Sequence, residues 1–351
     1  MKTKMIGAGI LGLIILVVLG YLFLRPQPAT EINGYLGGEK IGLFEDPEFI
    51  EEMKNSHGLS LNYKKAGSID MISADSTGLQ YLFPASQTAL ELYRAKIGPP
   101  RKAEIVLNTP LVLYTHTLVR DRLIENGMIT ENNGAYYMDM QSFSKAILEG
   151  KTWADLGLPE LYGSLSVKTT DPTKSNSGNM FAGLVANSLN GGNVVDKNSV
   201  QEILPELKTF FDRMGYMDTS SADLFEQSLK MGVGAYPMIA AYENQLLEFA
   251  VTNPETWDQL KSDLCIVYPT PTVYSSHVMI SLDEKGDQAI SALMDPKIQE
   301  IAWKKHGFRT GVSGSQTDTT SFGVEGVLPQ VTSIMPMPDF ETMDIIINHL
   351  Q

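Results

Sequence analysis

DPTKSNSGNMFAGLVANSLNGG, Asp171 to Gly192, follows the strand-like run SLSVKTT (Ser164 to Thr170) and is the most specific local pattern in the chain. Asp171-Pro172 reads as a turn, Ser175, Asn176 and Ser177 offer N-caps, and an apolar helix runs on to Gly191-Gly192. Lys174 adds positive charge beside that helix start, where free backbone N–H groups already favour negative charge. The layout presents donors to an anionic or polar group. Plain helix capping accounts for the same residues, so the functional reading rests on whether other segments converge with this one.

Working back toward the N-terminus, the same grammar repeats. Ile32 to Leu36 reads as a short strand, GGEK (Gly37 to Lys40) breaks it, and Asp46-Pro47 starts a helix over EFIEEMKNSHG that stops at Gly58. Leu59 to Lys65 alternates like a strand and ends in Ala66-Gly67-Ser68, with a helical segment from Ile69. Gln80 to Phe83 is again strand-like and ends in PASQ, Pro84 to Gln87, before TALELYRAK. Strands alternating with helices predict a parallel sheet in an α/β domain. In such a sheet the loops at the carboxyl ends of the strands lie together, and ligands bind there. Gly38, Lys40, Gly67, Ser68, Ser86 and Gln87 therefore form one half of a candidate site, although each alone is an ordinary cap or turn residue.

Working forward, IVLNTPLVLYTHTL (Ile105 to Leu118) is a long β-rich stretch broken at Asn108-Thr109-Pro110, of a kind that passes from one domain to another. Residues 120 to 162 read as helix and loop. Tyr242 to Gln245, YENQ, ends a strand-like apolar run and precedes a helical one. Pro269 and Pro271 make the segment before VYSSHVMISL an extended connector, suited to a return crossing.

In this order the segments resemble the extracellular solute-binding proteins of ABC transporters, specifically the type II group near the sulfate and molybdate binders. The family's DP-x-x-S-G-like loop is similar to DPTKSNSG, its ENE-type motif to YENQ, and its YP connector to Tyr268-Pro269. MDPKIQEIAWKKHGFRTG, Met294 to Gly311, resembles its C-terminal helix, and the likeness spans residues 32 to 315. It implies a two-lobed α/β fold with a hinge and an interlobe cleft. Lobe 1 would be 32–114 plus 276–351 and lobe 2 would be 115–275. The ligand set it implies in lobe 2 is Ser175, Asn176, Ser177, Tyr242, Glu243 and Asn244. The chain has Glu243-Asn244-Gln245 where the sulfate group reads ENE, and a carboxylate repels an oxyanion unless it organises neighbouring donors or binds a cation.

Met5 to Leu24 is twenty residues without a charge, preceded by Lys2 and Lys4. As a helix it rises about 30 Å, the thickness of a bilayer core, whereas a signal peptide's apolar region is usually about 7–15 residues. Residues 1–31 are therefore expected to be a retained single-pass anchor, N-terminus cytoplasmic and the rest extracellular or periplasmic. A long cleaved signal peptide is the alternative. A net charge of −14 argues against nucleic acid or an anionic membrane surface as partner. The one cysteine, Cys265 in LCIVYP, permits no internal disulfide and reads as a buried thiol.

No GxSxG, P-loop or Cys/His nucleophile pattern occurs, and His57, His116, His277, His306 and His349 lack metal-site spacing. Tyr236, Tyr242, Tyr268 and Tyr274 leave a phenolate iron site as a minor alternative. No enzyme activity, cofactor or metal is expected. Two functional classes remain. One is a tethered receptor capturing a small polar or anionic solute for an ABC permease; the other is a sensing or interaction module on the same fold without a permease.

Overall fold

The computed structural model describes residues 28–310 and 318–351. The expected span Met5 to Leu24 lies outside them, and among the described residues no helix is long and apolar enough to cross a membrane.

Ten strands are described: β1 Thr30–Leu36, β2 Leu59–Lys65, β3 Tyr81–Phe83, β4 Lys102–His116, β5 Ile129–Asn132, β6 Ala135–Met138, β7 Met238–Tyr242, β8 Leu264–Pro269, β9 Tyr274–Ser281 and β10 Arg309–Thr310. They lie in the order β2-β1-β3-β9-β4-β8-β6-β5, with β7 and β10 also paired to β4. The first three strands are parallel, as the alternation with helices predicts. The middle is not: β4 runs antiparallel to β7, β8, β9 and β10.

β4 does not break at Asn108-Thr109-Pro110. Its first part pairs with β9 up to Pro110 opposite Tyr274, and from Leu111 it pairs with β7 and β8 instead. Pro110 sits where the partners change, the place in a long strand where a missing N–H costs least. Leu111 and Leu113 then point into the core that holds Phe143, Phe181 and Phe210. Val112 and Tyr114 point the other way, into the core of Ile239, Ile266 and Trp303. Val106 and Leu107 join a further core with Ile32, Phe49 and Phe83.

The local signals near the first strands hold. Asp46 Oδ1 accepts from the N–H groups of Glu48 (2.8 Å) and Phe49 (3.1 Å), Pro47 opens the Pro47–His57 helix, and Gly58 closes it at φ 64°. Two segments differ from the sequence reading. Residues 129–138 form a hairpin whose two-residue loop is Asn133-Gly134, both at positive φ. SLSVKTT makes isolated bridges rather than a strand, two of them at Lys168 with Ile239 and Thr170 with Asp218.

The segment after Asp318, grouped by sequence with residues 32–114, packs chiefly elsewhere. Phe322, Val324, Val327 and Val331 lie in the Ile239 and Trp303 core, and Met343 and Ile346 in the Phe181 core. Its helix Phe340–Leu350 also reaches back, with the Phe340 N–H donating to Glu91 Oε2 at 2.9 Å.

The Asn176–Leu189 helix starts hard against the Asp171-Pro172 turn. A methyl group on Gly178 would overlap the Thr170 carbonyl oxygen. In an open helix Gly→Ala stabilises by about 0.5–1 kcal/mol. Here overpacking reverses the sign, and Gly178→Ala is expected to lose about 1–3 kcal/mol in denaturant unfolding. A variant as stable as the parent contradicts this packing.

Candidate functional site

The turn after β1 (Gly37 to Glu39), the loop after β2 (Lys65 to Ser68), the start of the Asn176–Leu189 helix and the start of the Ser221–Met231 helix enclose a cleft of ≈ 480 Å³. Tyr242, the last residue of β7, forms part of its wall. Seven residues singled out from sequence thus meet in one place: Gly38, Gly67, Ser68, Ser175, Asn176, Ser177 and Tyr242. These loops come together because strand ends from both parts of the sheet face the same gap.

The helix start is held by hydrogen bonds that leave its first turn open. Asp171 Oδ1 accepts from the Thr173 N–H (2.9 Å) and hydroxyl (2.7 Å), and Lys174 Nζ lies 3.0 Å from Asp171 Oδ2. Burial opposes the Asp171 charge, but Thr173 and Lys174 outweigh it and hold the carboxyl below its ordinary value. Ser175 occupies the N-cap position without capping. Its hydroxyl lies 3.0 Å from that of Ser177, which lies 2.7 Å from that of Thr170. The N–H groups of the first helical turn therefore receive no side-chain cap among the described residues.

Asn176 ties the walls together. Its amide donates to the Tyr242 hydroxyl at 2.9 Å and to the Ala85 carbonyl at 3.3 Å. The Ser275 hydroxyl also donates to the Ala85 carbonyl (2.6 Å), while the Ala85 N–H donates to Ser68 Oγ (2.9 Å). Ser68 Oγ thus accepts one bond from the protein, and its hydroxyl proton is not committed to any bond described.

Five sequence candidates take other places. Ser86 caps the Gln87–Lys96 helix by accepting from the Ala89 N–H at 3.3 Å. With Gln87 it lines a separate cavity of ≈ 540 Å³ beside Met180, Tyr274 and the stretch 334–339. Lys40 is wholly buried and does not face the cleft. It pairs with Glu39 and lies 3.1 Å from His277 Nδ1 and 4.8 Å above the Phe83 ring. The short turn Gly38–Lys40 rotates the lysine inward and presents its neighbour instead.

Glu243 is likewise wholly buried, at the first position of the Glu243–Thr252 helix. Arg309 clasps it with two bonds, Nε to Oε2 at 2.6 Å and Nη2 to Oε1 at 2.8 Å, and the Tyr268 hydroxyl donates to Oε1 at 2.5 Å. Arg309 also donates to the carbonyls of Leu328 and Pro329. The carboxylate is an internal tie among β8, β10 and the chain beyond. Burial works against the Arg309 charge, yet Glu243 outweighs it and raises the guanidinium above its ordinary value. Asn244 is buried behind it; its N–H donates to Thr109 Oγ1 at 3.2 Å, and its side-chain amide has no partner among the described residues.

The four tyrosines do not gather as an iron site. Tyr242 accepts from Asn176, Tyr268 donates to Glu243, Tyr236 donates to Gln227 at 2.7 Å, and Tyr274 lies beside the other cavity. Among the described residues no three His, Cys, Asp or Glu side chains could hold a metal ion together. Cys265 is buried, and that burial pushes its thiol up.

The sequence reading missed Thr219 to Asp223 at the start of the Ser221–Met231 helix, and it missed Glu39. Glu39 lines the cleft with its side chain only 10% exposed. Burial opposes its charge, but the Lys40 ammonium and His277 together outweigh burial and hold the carboxyl far below its ordinary value. His277, pushed down to about 4 by burial and by Lys40, stands behind the pair.

No family model matches the chain, and no curated protein matches it in sequence. Solved structures do match. An extracellular solute-binding protein from Bordetella parapertussis superposes with a TM-score of 0.60 at 11% identity, covering 91% of this chain and 96% of its own. The substrate binding protein of an ABC transporter from Agrobacterium tumefaciens gives 0.59 at 14% identity over 93% and 96%. A ferric binding protein from Campylobacter jejuni gives 0.56 at 12% identity over 91% and 96%.

Removing one member of the buried pair leaves the other charged and desolvated. Glu243→Ala is expected to lower the unfolding free energy by about 3–5 kcal/mol in denaturant titration. Replacing both partners, Glu243→Leu with Arg309→Met, should recover much of that loss. A single variant costing under about 1 kcal/mol would show the pair to be only a surface-strength contact.

Proposed function

We propose that this chain, whose fold is like that of the solute-binding proteins it superposes on, captures a small polar or anionic solute in the cleft between two lobes, outside the membrane, and delivers it to an ABC permease. The lobes are taken to divide within β4, residues 32–114 with the chain from 276 forming one and 115–275 the other, except that the segment after Asp318 packs into the cores of the second. The N-terminal segment Met5 to Leu24 is the proposed tether, on the ground of its twenty uncharged residues.

One observation carries the reading. The strand-end loops Gly37 to Glu39 and Lys65 to Ser68 face the helix start Lys174 to Ser177 across ≈ 480 Å³. That is a volume suited to a small solute. The walls supply uncommitted N–H groups, hydroxyls and two exposed lysines, Lys65 and Lys174. A solute held from both sides favours closure of the lobes over it, because only the closed form makes all the contacts.

A ligand that binds only the native form raises stability by about 2.7 kcal/mol at one hundred times its Kd. A thermal-shift screen of the extracellular part against oxyanions, amino acids, sugars and metal ions should therefore yield at least one compound that raises Tm in a concentration-dependent way. Flat melting temperatures across all four classes would contradict the receptor reading.

A further inference from the structure

We propose that Glu39 is the recognition point for an amino group, and that the cleft takes a small zwitterion. The ammonium of the solute binds Glu39 Oε2, and its acidic group faces the start of the Asn176–Leu189 helix. This deepens the receptor reading above and rests on it.

The two oxygens of Glu39 are used unequally. Oε1 takes the Lys40 ammonium and lies 3.4 Å from His277 Nδ1, both contacts coming from side chains with no exposure at all. Oε2 makes no hydrogen bond among the described residues. An ionised carboxylate offers about four acceptor positions, and a nine-tenths buried one with an oxygen unfilled is short of donors. Gly37 makes room for the carboxylate: a Cβ there would overlap Oε1 and stand 2.8 Å from Oε2 and 2.9 Å from Lys40 Nζ, so any larger residue would displace the pair from this wall of the cleft.

The other end of the cleft has the opposite character. Ser175 turns its hydroxyl to Ser177 instead of capping, so the helix start keeps its donors free. The remaining charged lining groups, Lys65, Lys174, Asp70 and Asp223, are all exposed and cancel in sign. A simple oxyanion in this volume would meet the Glu39 carboxylate. A simple cation would satisfy Glu39 and leave the donors of the helix start opposite it unmatched. A molecule with an ammonium at one end and an acid at the other satisfies both walls.

Matched pairs of probes test this by calorimetric titration of the unmodified protein: β-alanine against propionate, taurine against ethanesulfonate, and phosphoethanolamine against ethyl phosphate. At least one amine-bearing member should bind, with its partner weaker by about tenfold or more, the loss of a hydrogen bond to a charged group. Glu39→Gln, checked for folding by its melting curve, should abolish that preference. If the variant does not fold, the pairs on the unmodified protein still decide. Equal binding within every pair, or a preference that survives Glu39→Gln, overturns the assignment. If no pair binds while sulfate or a sugar raises Tm, the zwitterion falls and the receptor reading stands; if nothing binds, both fall.

Discussion

The structure hangs on one strand. β4 is fifteen residues long, and it gives its first part to β9 and β10 and its second to β7 and β8. Because successive side chains alternate between faces, Leu111 and Leu113 serve one core while Val112 and Tyr114 serve another. A strand buried on both faces must read as a near-continuous apolar run, and LVLY does. Sharing this strand fixes where the two parts of the sheet stand relative to each other, and hence where their loops can meet.

What crosses the junction is arranged so that polar groups satisfy one another and leave the cleft to its own donors. The Glu243 carboxylate, which in the cleft would repel an anion, is consumed by Arg309 and Tyr268. Buried pairs of this kind add little net stability compared with apolar packing, but they are costly to split, which pins the chain at 328–329 to β10. At the cleft itself the Ala85 peptide is held on both sides, by Ser68 at its N–H and by Ser275 and Asn176 at its carbonyl. Rigid walls of this sort lower the ordering entropy that binding would otherwise cost.

Features set within a few residues were legible in the sequence. Asp46, Pro47 and Gly58 define a helix by local hydrogen bonds and φ alone, and the strand-end glycines and serines placed most of the cleft. The Asn133-Gly134 hairpin carried a local signal as well, which a helical reading of 120–162 passed over. Features set by distant partners were not legible. Glu243 and Arg309 are separated by 66 residues, so nothing near YENQ discloses the pairing. Glu39 and Lys40 are adjacent in GGEK, and only the direction of a three-residue turn decides which faces the cleft. SLSVKTT has strand composition, yet it touches β7 at a single bridge before turning toward Asp218.

A single solute gripped from both sides of this cleft would protect both walls at once. Amide hydrogen exchange with and without a ligand that raises Tm reads it directly, residue by residue. Added protection is expected at Gly37 to Glu39 and Ala66 to Ser68 together with Asn176 to Gly178. Protection confined to one of these walls, or appearing instead around Ser86, Gln87 and the 334–339 stretch, would contradict that grip.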